Sequence, residues 1–215
     1  MGVPDIGRGK NGEITLYVEN LDRVWYGLAY DKGRIFATAF AFNEKRVLHN
    51  LLAKIPFNVP FEYSNIASEF AKQVISTLRD IYNGKGASRS FSLAAEHLSE
   101  YTRRVLSATS LIPTGYVTSY GAIAEAVGGS PRAVGKVMMS NPFPLIIPCH
   151  RVIAADFTPG GYGEGIEVKL GILSREKRGF LSEKSVSVDD AYIRVFPVEI
   201  LLNKYGKRSI VGRKK

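Results

Sequence analysis

Cys149, the chain's only cysteine, stands in the run Ile146-Ile147-Pro148-Cys149-His150-Arg151-Val152. A thiol close to an imidazole, with Arg151 adding positive field, favours the thiolate, the form that acts as a nucleophile. Sequence neighbours on a strand point to opposite faces, so Cys149 and His150 can cooperate only across a turn or through a bridging water. Pro148 favours such an irregular backbone. The competing reading is a buried, inert cysteine, since free cysteine is among the most buried residue types. An acid further on bears on the choice. Ile166, Leu170 and Leu173 fall on one face of a helix expected from Ile166 to about Lys177, and Glu176 continues that stripe. Such an acid could orient His150 in a Cys-His-Glu relay, or it could turn out to water at the helix end. Between them, 158–165 is glycine-rich with one aromatic, Tyr162, and can approach a planar ligand closely. It lacks the Lys-Ser/Thr ending of a Walker phosphate loop.

The elements leading to Cys149 are legible from their caps. Ser119 can cap a short helix through Val127, ended by Gly128-Gly129. Ser130-Pro131 then opens another, with Ala133, Val134, Val137 and Met138 as its inward stripe. Two short helices across a tight glycine turn describe either a helix-turn-helix or an ordinary helical hairpin. Arg132 lies in the first turn of the second helix, where the helix dipole disfavours a cation but where a helix-turn-helix faces its duplex. Asn141-Pro142 ends that helix and leads into the cysteine segment.

Upstream, 14–18, 24–30 and 34–42 read as strands, with Asp31-Lys32-Gly33 as a hairpin-like connection, so a small antiparallel sheet is expected. Phe70, Val74, Ile75, Leu78 and Ile81 place a helix over Ile66 to Tyr82. The run 84–88 has linker chemistry and marks a domain boundary. Leu98, Tyr101, Val105 and Leu106 begin the second half at helical spacing, and Val198, Leu201, Leu202 and Tyr205 after Pro197 form one amphipathic helix near the end.

With 215 residues the chain can hold one large or two small domains. No apolar run approaches a membrane span, and the first ten residues lack a secretory signal's apolar segment, so a cytoplasmic protein without a membrane partner is expected. One cysteine excludes an internal disulfide and a multi-thiolate zinc site, and neither metal nor cofactor is expected. The formal charge of +9 suggests a polyanionic partner.

Taken together, Pro148-Cys149-His150-Arg151-Val152 after Asn141-Pro142, and both after paired helices with Arg132, resemble the O6-alkylguanine-DNA alkyltransferases over about Tyr101 to Arg178. The resemblance implies an α+β, two-domain protein: a ribonuclease-H-like antiparallel sheet plus helix over 1–88 and a mostly helical winged helix-turn-helix domain over 89–180. Residues 181–215 form an extension beyond the usual family end, of unassigned role. It implies stoichiometric, irreversible transfer of the alkyl group from O6-alkylguanine, and from O4-alkylthymine, in double-stranded DNA to Cys149 after base flipping, with no cofactor and no obligate protein partner. By the same resemblance His150 deprotonates Cys149 through a water, Glu176 holds His150, Tyr120 protonates the leaving guanine and Asn141 braces the thiolate segment. Arg132 replaces the flipped nucleotide, Thr102 contacts a phosphate, and Ser130, Ala133 and Gly135 accompany them on the DNA side. The Val152 carbonyl, Tyr162, Gly163 and Met138 belong to the base pocket. Gly163 stands where a serine is common, leaving only its backbone N–H for the guanine oxygen, and Glu164 puts an acid beside the pocket. Two other classes remain open: a lesion-binding protein without transfer chemistry, and a cysteine hydrolase. The basic residues Lys207, Arg208, Arg213, Lys214 and Lys215 are expected to assist DNA binding.

Overall fold

The computed structural model describes residues 13–56, 59–87 and 89–211, with side chains as far as Tyr205. The stretch 1–10, Ser88, Arg213, Lys214 and Lys215 lie outside the described residues, as do the side chains of Lys207 and Arg208. Two sheets and seven α-helices make up this part of the chain, a mixed α+β architecture.

Three strands, β1 (Ile14–Leu21), β2 (Val24–Asp31) and β3 (Arg34–Ala41), form the antiparallel centre of the first sheet. Asp22 and Arg23 make the first turn with φ of 54° and 68°, the left-handed pair whose twist matches a tight hairpin. Alternation decides the faces. Leu28 turns to the core shared with the second half, whereas its neighbour Ala29 turns to the opposite, smaller cluster.

That smaller cluster is sealed by α1 (Glu44–Leu52), a helix the periodicity reading missed. Asn43 caps it by accepting from the Arg46 N–H at 2.9 Å, and Val47 and Leu51 bury its inner face. Gly27 on β2 makes room, because a Cβ there would collide with Val47 and Leu51. The sheet is also not wholly antiparallel. β4 (Phe61–Tyr63) joins β1 in parallel, and β5 (Ser92–Leu93) closes the other edge, giving the order β4-β1-β2-β3-β5.

Between these edge strands runs α2 (Glu69–Tyr82), which starts three residues later than Ile66. Ser68 accepts from the Ala71 N–H at 3.1 Å and so sets the first turn, leaving Ile66 82% exposed. The boundary expected after Ser88 precedes a strand that still belongs to this sheet: β5 (Ser92–Leu93) lies parallel to β3, and the Ala94 N–H bonds the Ile35 carbonyl at 2.8 Å. A two-residue strand has too little pattern to be read in advance.

The second half begins with α3 (Glu100–Ser110), capped by Ser99, and β6 (Tyr116–Ser119). Ser119 and Ser130 then cap α4 (Tyr120–Val127) and α5 (Pro131–Ser140), with Gly128 and Gly129 in the left-handed region between them, as their sequence signals require. Val134, Val137 and Met138 are buried on α5, whereas Ala133 is only half-buried. A single 3-10 turn, Cys149–Arg151, leads to β7 (Val152–Ile153), which pairs with β6 in parallel. The helix α6 (Ile166–Arg175) follows, with Leu170, Ile172 and Leu173 buried and Ile166 42% exposed at its first turn.

The segment after Phe180 is no loose appendage. β8 (Lys184–Val188) and β9 (Ala191–Pro197) form a hairpin whose β9 pairs antiparallel with β6, completing the order β7-β6-β9-β8. The division at 180 therefore cuts through the second sheet. After it, α7 (Val198–Val211) buries Val198 and Leu201 against Val117, Ile153, Leu170 and Leu173.

Direct bonds join the halves. Thr38 of β3 donates its N–H to the Pro142 carbonyl at 2.9 Å and its hydroxyl to the Pro144 carbonyl at 2.8 Å, holding the segment that leads to Cys149. At the far end of α6, Arg175 bonds the Tyr82 carbonyl at 2.7 Å and lies 4.3 Å from that ring's centre. Arg178 donates to the Gly84 carbonyl.

Candidate active site

The turn that presents Cys149 is overdetermined by hydrogen bonds. Asn141 at the end of α5 accepts the Phe143 N–H at 2.9 Å and donates to the Ile147 carbonyl at 3.1 Å, bracing both sides of the loop. The Cys149 and Arg151 N–H groups bond the Ile147 and Pro148 carbonyls at 2.8 and 2.9 Å. The 3-10 geometry separates the thiol from the imidazole, so that neighbours in sequence face different surroundings, as their adjacency required.

Behind the turn, His150 is fully buried, and its Nε2 lies 2.9 Å from Glu176 Oε1. Its Nδ1 has no hydrogen-bond partner among the described residues. Burial lowers the His150 pKa, with Glu176 opposing the shift, which favours neutral imidazole in the resting protein. Glu176 is the C-cap of α6 and fully buried, so it does not turn out to water. Burial alone would raise its pKa, but hydrogen bonds and charge from His150 and Arg151 bring it to about 2.

Arg151 serves a different purpose from the one its position beside Cys149 suggested. Its guanidinium turns away from the thiol and donates to Glu176 at 2.8 to 3.1 Å, to the Ile112 carbonyl at 2.7 Å and to Thr114 Oγ1 at 2.9 Å. The positive field at Cys149 comes instead from Lys169 and Lys54. Lys169 escaped the sequence reading, yet it is fully buried and donates to the Val152 carbonyl at 2.6 Å. Burial pulls its pKa down to about 8, and Cys149 opposes the shift. A lysine within an apolar helical stretch was the available signal, because lysine is rarely buried without a partner.

The surroundings of Cys149 make it less acidic than its sequence neighbours suggested. Burial raises the Cys149 pKa, and a hydrogen bond from Asn141 with the charges of Lys169 and Lys54 only partly offsets this. Tyr120 opens α4 beside the same cavity. Burial and then Cys149 raise its pKa, keeping its hydroxyl protonated. Burial likewise holds Tyr162 well above the usual range, and its hydroxyl has no hydrogen-bond partner among the described residues.

These groups border a cavity of about 890 Å³, within the range of small-molecule pockets. One wall comes from the second half: Cys149, Tyr120, Asn141, Met138, Tyr162 and Gly163, with Arg132 and Gly135 of α5 at the mouth. The other wall comes from β3 and α1, through Thr38, Ala39, Phe40, Arg46, Asn50 and Lys54. Neither α1 nor its cations entered the sequence reading, although Asn43 before Val47 and Leu51 carried a cap and helical spacing. Glu164 is clasped by this second wall, 2.9 Å from Arg46 Nε and 2.9 Å from Asn50 Nδ2, while Arg46 also donates to the Gly163 carbonyl at 2.9 Å.

Six expected residues lie outside the cavity lining: His150 and Glu176, which back the turn, and Val152, Ser130, Ala133 and Thr102. Val152 is buried and its carbonyl already accepts from Lys169. Ser130 and Ala133 sit at the start of α5, where the Ala133 N–H bonds the cap hydroxyl at 3.2 Å. Thr102 is on α3, its hydroxyl 2.9 Å from that of Ser99. Among the described residues no group of three His, Cys, Asp or Glu could hold a metal ion, and no helix is long and apolar enough to cross a membrane.

The family model described as 6-O-methylguanine DNA methyltransferase, DNA binding domain, matches residues 100–178. A methylated-DNA–protein-cysteine methyltransferase of Methanothermobacter thermautotrophicus is 48% identical over 77 residues, 36% of this chain and 44% of that protein, so this alignment spans less than half of the relative. Another, from Thermococcus kodakarensis, is 35% identical over 161 residues, 71% of this chain and 88% of that protein. The crystal structure of O6-methylguanine-DNA methyltransferase from Pyrococcus kodakaraensis superimposes with a TM-score of 0.59 at 31% identity, covering 75% of this chain and 98% of that one. The alignment with the Thermococcus protein passes beyond the segment carrying Cys149 into the first sheet, and on that extent of likeness the chain belongs to the methylated-DNA–protein-cysteine methyltransferase family.

Proposed function

We propose that this protein repairs alkylated double-stranded DNA by moving the alkyl group of O6-alkylguanine, and of O4-alkylthymine, onto Cys149, once per molecule. The observation that carries this reading is a buried thiol in a cavity whose mouth is bordered by α5 and Arg132, backed by the His150–Glu176 pair. On this reading α4 and α5 act as the helix-turn-helix of a winged domain, distinct from the first sheet's domain. Arg132, exposed at the start of α5, fills the stack while the base turns into the cavity.

The chemistry then uses the groups in turn. The Cys149 proton passes through a water to His150 Nδ1, and Glu176 steadies the resulting imidazolium. The thiolate attacks the alkyl carbon, a C–S bond forms as the C–O6 bond breaks, and the departing guanine takes a proton from the Tyr120 hydroxyl. A thioether is not reversed by thiol exchange, so each molecule acts once. Tyr162, Gly163 and Met138 line the base chamber, and Asn141 braces the thiol. Ser130, Ala133, Gly135 and Thr102 lie on the face that meets DNA, and the carbonyl of Val152 has a second lone pair for the guanine amino group.

Intact mass after mixing with an O6-methylguanine oligonucleotide tests this. One methyl per chain, mapping to Cys149, is expected. Sustained turnover would point to a hydrolase, and binding without any mass gain to a lesion-recognition protein.

A further inference from the structure

We propose that Lys54, carried to the cavity by α1, is a positioning residue that steadies the Cys149 thiolate, so that the amino-terminal half takes part in activating the thiol. This rests on Cys149 being the acceptor.

Lys54 follows the last turn of α1, where its backbone N–H bonds the Leu51 carbonyl at 2.9 Å. It lines the same cavity as Cys149. Its half-buried ammonium donates to the Met139 carbonyl at 3.3 Å, a long bond to a neutral acceptor. No carboxylate among the described residues pairs with it. An ammonium has three donors, and partial burial without an anion disfavours its charge. Burial lowers the Lys54 pKa and Cys149 raises it, while Lys54 lowers that of Cys149. Each group therefore favours the charged form of the other.

The remaining charges around the thiol leave room for this role. Lys169 of α6 supplies the other cation, but it is committed to the Val152 carbonyl at 2.6 Å. His150 faces Glu176, and Arg151 is spent on the same carboxylate. Tyr120 and Tyr162 are kept neutral by burial. Arg46 and Glu164 offset one another at 2.9 Å, and Arg132 and Lys136 line the cavity from the exposed side of α5. Lys54 is thus the cation without a carboxylate partner among the described residues that faces the cavity from the wall opposite the thiol.

Because the chain has one cysteine, the ultraviolet absorbance of its thiolate reports Cys149 directly once the tyrosine background of Cys149→Ser is subtracted. In the full chain, Lys54→Gln should raise the midpoint by about one unit, a roughly tenfold smaller thiolate fraction at neutral pH. Its amide can still donate to the Met139 carbonyl, so a purely structural contact survives. Lys54→Arg should keep the wild-type midpoint. Wild-type titration in Lys54→Gln, or an equal shift in Lys54→Arg, would overturn the proposal. The measurement needs neither DNA nor transfer, so a failed mass experiment would remove the repair reading without deciding this one.

Discussion

The two walls of the cavity are built by different means. The wall from the second half is a network of short hydrogen bonds: Asn141 braces the turn, and Glu176 is gripped from two sides by His150 and Arg151. The wall from the first half meets it through α1 and the turn after it, whose side chains reach across the gap: Arg46 as a charge and Asn50 as a neutral donor to Glu164, and Lys54 as a charge acting on Cys149. Buried networks hold geometry because a broken partner leaves an unsatisfied charge, whereas partly exposed pairs are screened and interchangeable. Bond-making groups thus sit where displacement is costly, and the loop around Tyr162 and Gly163 is tied to the other wall by the weaker kind of contact.

The largest effect should come from breaking the network. Arg151→Leu leaves the buried Glu176 with only His150 and a long 3.4 Å bond from the Gly115 N–H, strands the Ile112 carbonyl, and should cost about 3–5 kcal/mol in chemical denaturation. Its pH dependence checks the cause. The Glu176 pKa is depressed to about 2, so its contribution is fully present above the ordinary carboxylate range and is lost as pH falls toward that value. Arg151→Leu should move acid unfolding to higher pH, and an unchanged acid limb would mean that the pair does not govern stability there.

Next in size, Tyr120→Phe removes the proton donor while leaving the ring in place. Single-turnover transfer should slow by about 10²–10⁴-fold with little change in DNA affinity. Equal losses in rate and affinity would make Tyr120 a binding residue.

Arg132→Ala should slow repair in duplex DNA by roughly tens to hundreds of fold, because unstacking costs a few kcal/mol. Reaction with the free base O6-methylguanine has no stack to open and should be nearly unchanged. Similar impairment of both substrates would assign Arg132 to the pocket instead.

The smallest effect should come from the clasp across the cavity. Glu164→Gln removes an ion pair whose Arg46 is half-exposed, worth no more than about 1 kcal/mol. Stability should barely change, and the transfer rate should become less salt-dependent at low ionic strength. A loss as large as that of Arg151→Leu would mean that the two walls are equally rigid.

Much of this was legible because local signals and tertiary demands coincide. Ser119, Ser130-Pro131 and the paired glycines delimit α4 and α5 through capping, a short-range effect. The three central strands announced themselves by their turns and β-rich runs, and Glu176 lay on an apolar stripe that tertiary packing buried. Cys149 and His150 stood out because few other roles suit that pair. What the chain could not announce alone depends on partners distant in sequence. Edge strands β4 and β5 exist because β1 and β3 offer free edges, and β8 and β9 complete a sheet begun seventy or so residues earlier. Arg151 beside Cys149 looked like its activator, but chain adjacency does not set side-chain direction, and a buried Glu176 claimed it. Lys169 and Lys54 became the thiol's cations for the complementary reason: the packing of α6 and α1 placed them there, and the field of a charge depends on distance through the fold rather than along the chain.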